Sequence, residues 1–170
     1  MQNMGKRFEQ NWRQSLPKVD NLYYYRIKDS ASSYYGGNEN LRFSQSNIAD
    51  AFMLHTIDIP TYNQQITNLL ILEFKHHKGK SLPLNCIRAN QLEEMTEAGQ
   101  KRHVIPLIIA FFSDVCRCFA LRIDYVNKFI ENNERKSIPI DYFEEHGTEI
   151  DVKPLKTNYR FDIGKFLEEY

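Results

Sequence analysis

The 170-residue chain lacks several things that would fix its class at once. No apolar run approaches the roughly 18 residues of a membrane-spanning helix. The longest, Val104 to Phe112, is interrupted by Pro106. The opening Met1-Gln-Asn-Met-Gly-Lys-Arg is polar and carries no apolar signal-peptide segment, so a cytoplasmic location is expected. Cysteine is scarce: three residues, an odd count without framework spacing, predict reduced thiols. Too few Cys and His fall at ligand spacing for a zinc site. An excess of charge of either sign is also missing, with 22 Lys+Arg balanced by 22 Asp+Glu. That excludes a uniformly basic protein that coats polyanions, because such affinity scales with the phosphates neutralised. Glycine and proline, at seven and six, are too few for a collagen-like or linker-like chain.

What is present suffices for one folded domain. The composition is 42% hydrophobic and 13% aromatic, enough to bury a substantial core. Phe8, Trp12 and Leu16 recur every four residues and predict an amphipathic helix ended by Pro17. Leu22 to Ile27 reads as an aromatic strand, and the polar stretch from Asp29 to Ser46, with Gly36-Gly37, as a loop. Ile48 to Ile57 reads as a strand, Pro60 to Asn68 as a turn or insertion, and Asn68 to Lys75 as a central strand ending in charge. A helix follows from Asn85 to Ala98, with Ile87, Leu92 and Met95 inward and Gly99 as its stop. Val104–Phe112 and Arg117–Ile123 read as strands joined at Ser113-Asp114. Cys116 and Cys118, two apart along what reads as a strand, would share a face. Asp124 is expected to cap a helix to about Asn132, with further helices near Asp141–His146 and Asp162–Tyr170. This order predicts an α/β fold, a mixed central sheet flanked by helices.

Chemistry concentrates where the central strand turns charged. Glu73 and Lys75 are two apart, so a strand points both to one face. An upstream acid, Asp50 or Asp58, would join them across a hairpin. Two carboxylates and a backbone carbonyl are hard oxygen ligands suited to a hydrated Mg²⁺. A neighbouring lysine could stabilise charge on a scissile phosphate or help activate water.

Glu73-Phe-Lys75, a basic loop, Ser81-Leu-Pro-Leu84 and Asn90-Gln-Leu-Glu-Glu-Met95 together resemble the core of the RecU-type Holliday junction resolvases, in the PD-(D/E)XK nuclease superfamily. Met4-Gly-Lys-Arg-Phe-Glu9, Ser46-Asn-Ile-Ala-Asp50, Arg135-Lys-Ser-Ile-Pro139 and Tyr159-Arg-Phe-Asp-Ile163 follow the family's order across nearly the whole chain. The resemblance implies a restriction-endonuclease-like core and a homodimer acting on four-way DNA junctions. It implies Mg²⁺, or alternatively Mn²⁺, held by Asp50 and Glu73, with Lys75 activating water and Gln91 orienting from the next helix. Glu9 would support the metal or touch it. Asp50 is preferred to Asp58 because Ser46-x-x-x-Asp50 opens the strand and Asp58 falls near Pro60. Residues 29–47 stand where the family carries a longer stalk, and the family's basic N-terminal arm is nearly absent.

Candidate DNA contacts are His76, His77, Lys78 and Lys80 beyond the site, Lys6 and Arg7 on the first helix, and Arg135 and Lys136. Tyr34 and Tyr35, in the polar loop, are the tyrosines expected to stack on unpaired bases, while Tyr23-Tyr24-Tyr25 reads as alternating burial. The expected activity is metal-dependent, paired phosphodiester hydrolysis in a bacterial or phage-infected cell, with a recombinase as a further partner. The rival readings are a nuclease for flaps or other branched DNA, and a non-catalytic junction-binding protein that regulates recombination.

Overall fold

A computed structural model describes residues 4–28 and 47–170. The excursion at 29–46, with Tyr34 and Tyr35, lies outside the described residues. Helix α1 (Met4–Ser15) leads into strand β1 (Leu22–Arg26). Strands β2 (Ala51–Ile59) and β3 (Gln64–His77) form a long antiparallel hairpin. Strand β4 (Ser81–Pro83) and helix α2 (Ala89–Gly99) carry the chain to β5 (Val104–Phe112), which lies parallel to β3. Then follow β6 (Arg117–Arg122), α3 (Ile123–Asn132), β7 (Ser137–Pro139) and α4 (Ile140–His146). Strands β8 (Thr148–Ile150), β9 (Val152–Pro154) and β10 (Tyr159–Phe161), and helix α5 (Ile163–Leu167), complete it.

The main sheet runs β1-β2-β3-β5-β6-β8 and is mixed, with β3–β5 its one parallel pairing among the described residues. Helices cover both faces of its centre, as the α/β expectation required, and the architecture is that of a restriction-endonuclease-like fold. On one face, Phe8 and Trp12 of α1 pack against Phe74, Phe111, Phe161 and Phe166. On the other, Met95, Val126, Phe129 and Phe143 from α2, α3 and α4 pack over Ile71, Ile108 and Phe112. Strands β3 and β5 are therefore buried on both sides, which is why their sequences read as continuous apolar runs rather than alternating ones. Trp12 is wholly buried, and truncating it to alanine would cost about 3–5 kcal/mol.

Several local expectations need correction. The stretch read as a turn or insertion from Pro60 to Asn68 is mostly strand, because β3 begins at Gln64. Its polar half pairs through Thr56–Thr67 hydroxyls at 2.8 Å and through Gln65 Nε2 donating to Asp58 Oδ1 at 2.8 Å. Cys116 does not share a strand with Cys118. It ends the turn before β6, with φ of 53°. Asp124 lies in the first turn of α3 and accepts from Arg122 Nε at 3.2 Å; Arg122 itself occupies the cap position, without a side-chain cap bond. Asp162 does cap α5, accepting from the Lys165 N–H at 3.0 Å.

Candidate active site

The site begins where β1, β2 and β3 meet. The Asp50 N–H donates to Leu72 O at 3.0 Å and its carbonyl accepts from the Ile27 N–H at 2.9 Å, so its backbone is held between β3 and β1. Its side chain also bonds to β3: Asp50 Oδ2 accepts from the Phe74 N–H at 2.8 Å. The hairpin register, Ala51 opposite Leu72, continues to set Asp50 against Glu73. Asp58 ends elsewhere. It pairs with Gln65, eight residues back along β3, or about 27 Å at strand rise.

Glu73 is 3% exposed, a carboxylate on a strand flanked by Ala51–Asp50 on one side and Ile108 of β5 on the other. Its Oε1 accepts from Lys75 Nζ at 2.6 Å, as the two-residue spacing requires. Glu73 Oε2 is buried and has no partner. Burial, and then the charge of Glu73, push Asp50 up from an ordinary 3.8 to about 6; the Phe74 N–H, Lys75 and Arg26 oppose that rise. Two close carboxylates answered by one ammonium form an anionic pair that attracts a cation.

Gln91, the remaining residue expected at the site, lies on helix α2. Gln91 and Met95 lie four apart on its buried face, both fully buried, while Glu93 points to solvent. Met95 belongs to the same core cluster as Ile71 and Ile108, the residues bracketing Glu73 on that face. Neither amide atom of Gln91 has a partner. A buried amide left unpaired costs roughly 1–3 kcal/mol per group, so its retention needs a reason beyond stability.

On the α1 face, Glu9 is joined to Arg26 of β1, with Oε2 accepting from Nε at 2.7 Å. Sequence reasoning gave no role to Arg26 or to Tyr24. Their only signal was alternation along β1, which points Leu22, Tyr24 and Arg26 inward. Tyr24 lies within electrostatic reach of Glu9, Arg26 and Asp50; burial first, then Glu9, raise its hydroxyl to about 12, so it stays protonated. Glu9 therefore bears on the carboxylate pair through Arg26 and Tyr24.

The basic residues sort differently from the expectation. His77 shares the face of Glu73 and Lys75, whereas His76 turns to the α1 face. There it lies 5.8 Å from the Phe111 ring, with Nε2 buried and its pKa lowered by burial and by His77. His76 therefore packs its ring against the α1-face core. Lys78 and Lys80 are exposed just before β4, and Arg135 and Lys136 are exposed just before β7; because the two strands run antiparallel, the two basic pairs stand at opposite ends of the ladder. Strand β4 pairs with β7, the Leu84 N–H donates to Lys136 O at 2.9 Å, and the Ile140 N–H donates to Lys80 O at 2.9 Å. Arg88, just before α2, is exposed as well. The turn that carries Lys78 and Lys80 needs Gly79, whose φ is +86° and whose N–H donates to Asp114 Oδ2 at 3.0 Å. Lys6 and Arg7 lie on α1 beside Glu9.

A cleft of about 650 Å³ lies near the far end of the β2–β3 hairpin, around His55, Asn68 and Tyr170, and contains none of these residues. No group of three or more His, Cys, Asp or Glu stands together among the described residues. The acidic donors are thus Asp50 and Glu73 alone. They fit a hard divalent cation that keeps several waters, and the unpartnered Glu73 Oε2 is a free oxygen for it. A search of curated proteins returns no match. Over residues 43–166, which contain Asp50, Glu73, Lys75, Gln91 and the Arg135–Lys136 pair, the chain matches RecU, Recombination protein U. The chain belongs to the RecU family, and that membership implies recombination-related Holliday junction resolvase activity on branched DNA.

Proposed function

We propose that the protein is a Mg²⁺-dependent endonuclease that resolves four-way junctions as a homodimer, each copy hydrolysing one phosphodiester. The observation that carries this reading is the pairing of Asp50 with buried Glu73, with Lys75 2.6 Å from one Glu73 oxygen and the other oxygen unpartnered. Mg²⁺ held by Asp50 and Glu73, with Mn²⁺ as a substitute, would supply a water of lowered pKa and neutralise phosphate charge. Lys75 places its ammonium beside the reacting phosphate and stabilises the negative charge that develops there. Its bond to Glu73 holds it in position before substrate arrives. Gln91 presents an uncommitted amide, able to orient water or a phosphate oxygen. Asp50 must be ionised to act as a ligand, so activity rises with pH through about 6.

Lys78 and Lys80 at one end of the β4–β7 ladder, and Arg135 and Lys136 at the other, would contact the DNA backbone and fix its register. The sum of charges is zero, but these exposed cations would meet a phosphate strand at two separate points. The test is cleavage of a synthetic four-way junction with Mg²⁺ by wild type, Asp50→Asn and Lys75→Ala. Paired cuts leaving 5′-phosphate and 3′-hydroxyl ends are expected from wild type alone. Binding without cutting in Mg²⁺ or Mn²⁺ would overturn the enzymatic reading. Faster cutting of flaps than of junctions would move the substrate to other branched DNA.

A further inference from the structure

Strand alternation divides the three consecutive tyrosines of β1. Tyr24 turns to the α1 face, while Tyr23 and Tyr25 turn to the opposite one and are 60% and 45% exposed. Through the register, Tyr23 stands beside Leu54 and Tyr25 beside Phe52, and Phe52 in turn stands beside Ile71 of β3. Ile71 is two residues before Glu73, so Tyr23, Tyr25 and Glu73 share one face of the sheet. Two strand spacings and two residues of rise put the Tyr25 backbone about 12 Å from that of Glu73. Phe52 is half-buried and Leu54 is 40% exposed, forming an apolar floor. None of these four side chains carries a charge, so nothing on this patch repels a polyanion.

We propose that Tyr23 and Tyr25 form a stacking platform for unpaired bases at the branch of the DNA substrate, next to the scissile phosphate. Residues two apart on a strand lie about 6.8 Å apart, which is the gap one base fills when stacked at 3.4 Å between two rings. Tyrosine suits this role because its ring offers a π-face to any base while the hydroxyl stays wet. A duplex keeps its bases paired and offers no such group, whereas a branch point does. The platform would therefore add affinity for branched over continuous DNA without reading sequence. A second copy of the chain is the competing occupant. The nearness of Glu73 and Lys75 on the same face favours DNA. This inference rests on the reading of the site as a junction nuclease.

The test uses wild type, Tyr23→Leu/Tyr25→Leu and Tyr23→Phe/Tyr25→Phe, each checked for folding by thermal melting. Binding is measured in EDTA, where no cutting occurs, on a four-way junction and on a duplex of the same sequences. The leucine variant is expected to bind the junction about ten-fold more weakly, with duplex affinity unchanged, and the phenylalanine variant to match wild type. With 5-iododeoxyuridine at the branch, irradiation should cross-link wild type at Tyr23 or Tyr25. Unchanged junction preference in the leucine variant, or cross-links confined to other residues, would overturn the proposal. So would a leucine variant that sediments at half the wild-type mass, which would give the face to a second copy. Wild type that stacks but never cuts with Mg²⁺ would instead sink the nuclease reading and leave the platform standing.

Discussion

Asp50→Asn separates the needs of chemistry from those of stability. In the unfolded chain Asp50 ionises near an ordinary 3.8, but in the folded protein it keeps its proton up to about 6. Between those values the folded state binds more protons than the unfolded one, so stability falls as pH rises through this window. Each tenfold change in proton affinity is worth 1.36 kcal/mol, so the loss approaches about 3 kcal/mol above pH 6. Asparagine does not titrate, and its carbonyl can still accept from the Phe74 N–H that Asp50 Oδ2 now engages at 2.8 Å. In EDTA at pH 8, the variant should therefore be more stable than wild type by up to about 3 kcal/mol. At roughly 2–4 °C per kcal/mol for a chain this size, melting rises by at most about 12 °C. At pH 4 the gap should close. Urea denaturation at the two pH values, read by circular dichroism, measures it. A variant that is less stable at pH 8, or a gap independent of pH, would refute the claim that burial and Glu73 hold Asp50 protonated. The same variant should lose cleavage, so removing the strain removes the function.

The other predictions address the neighbouring groups. At pH 8, Mg²⁺ at ten times its dissociation constant should stabilise wild type by about 1.4 kcal/mol and leave Asp50→Asn unmoved, and at pH 5 the wild-type gain should shrink as Asp50 is protonated; differential scanning calorimetry checks both. Lys75→Ala should cut single-turnover cleavage by about 10²–10⁴-fold while junction affinity in EDTA changes little. Gln91→Leu replaces two unpaired buried amide atoms with an apolar group of similar volume. Its urea midpoint should rise by an amount worth about 1–2 kcal/mol while cleavage falls, and a destabilised variant would show that the amide is satisfied in the fold. Lys80→Ala/Lys136→Ala should weaken junction and duplex binding alike and flatten the log–log salt dependence by about 2, measured by fluorescence anisotropy between 50 and 200 mM salt.

Local periodicity was enough for most of the central elements. The apolar runs of β3 and β5, the four-residue spacing of α1 and the inward Ile87 and Met95 around α2 follow from burial, which leaves its mark on consecutive residues. The pairing of Glu73 with Lys75 was legible for the same reason, since a strand repeats every two residues. The short strands β4, β7, β8, β9 and β10 were not legible. Three residues carry too little pattern, and each exists because a distant partner supplies its hydrogen bonds.

By itself, then, the sequence determined an α/β chain with a charged end to its central strand, and the order of its motifs pointed to RecU. The sequence favoured Asp50 over Asp58, and the tertiary structure set Asp50 against Glu73. The placement depends on hairpin register: Asp50 immediately precedes β2, whereas Asp58 lies near the strand's far end opposite Gln65. The tertiary structure also turned His76 inward, tied Glu9 to Arg26, and set Lys78–Lys80 and Arg135–Lys136 at the two ends of the β4–β7 ladder. Most consequentially, it left Tyr23 and Tyr25 exposed beside the carboxylates. Alternation says that neighbours in a strand face opposite ways, but which face a helix covers is settled only by packing between residues far apart in the chain.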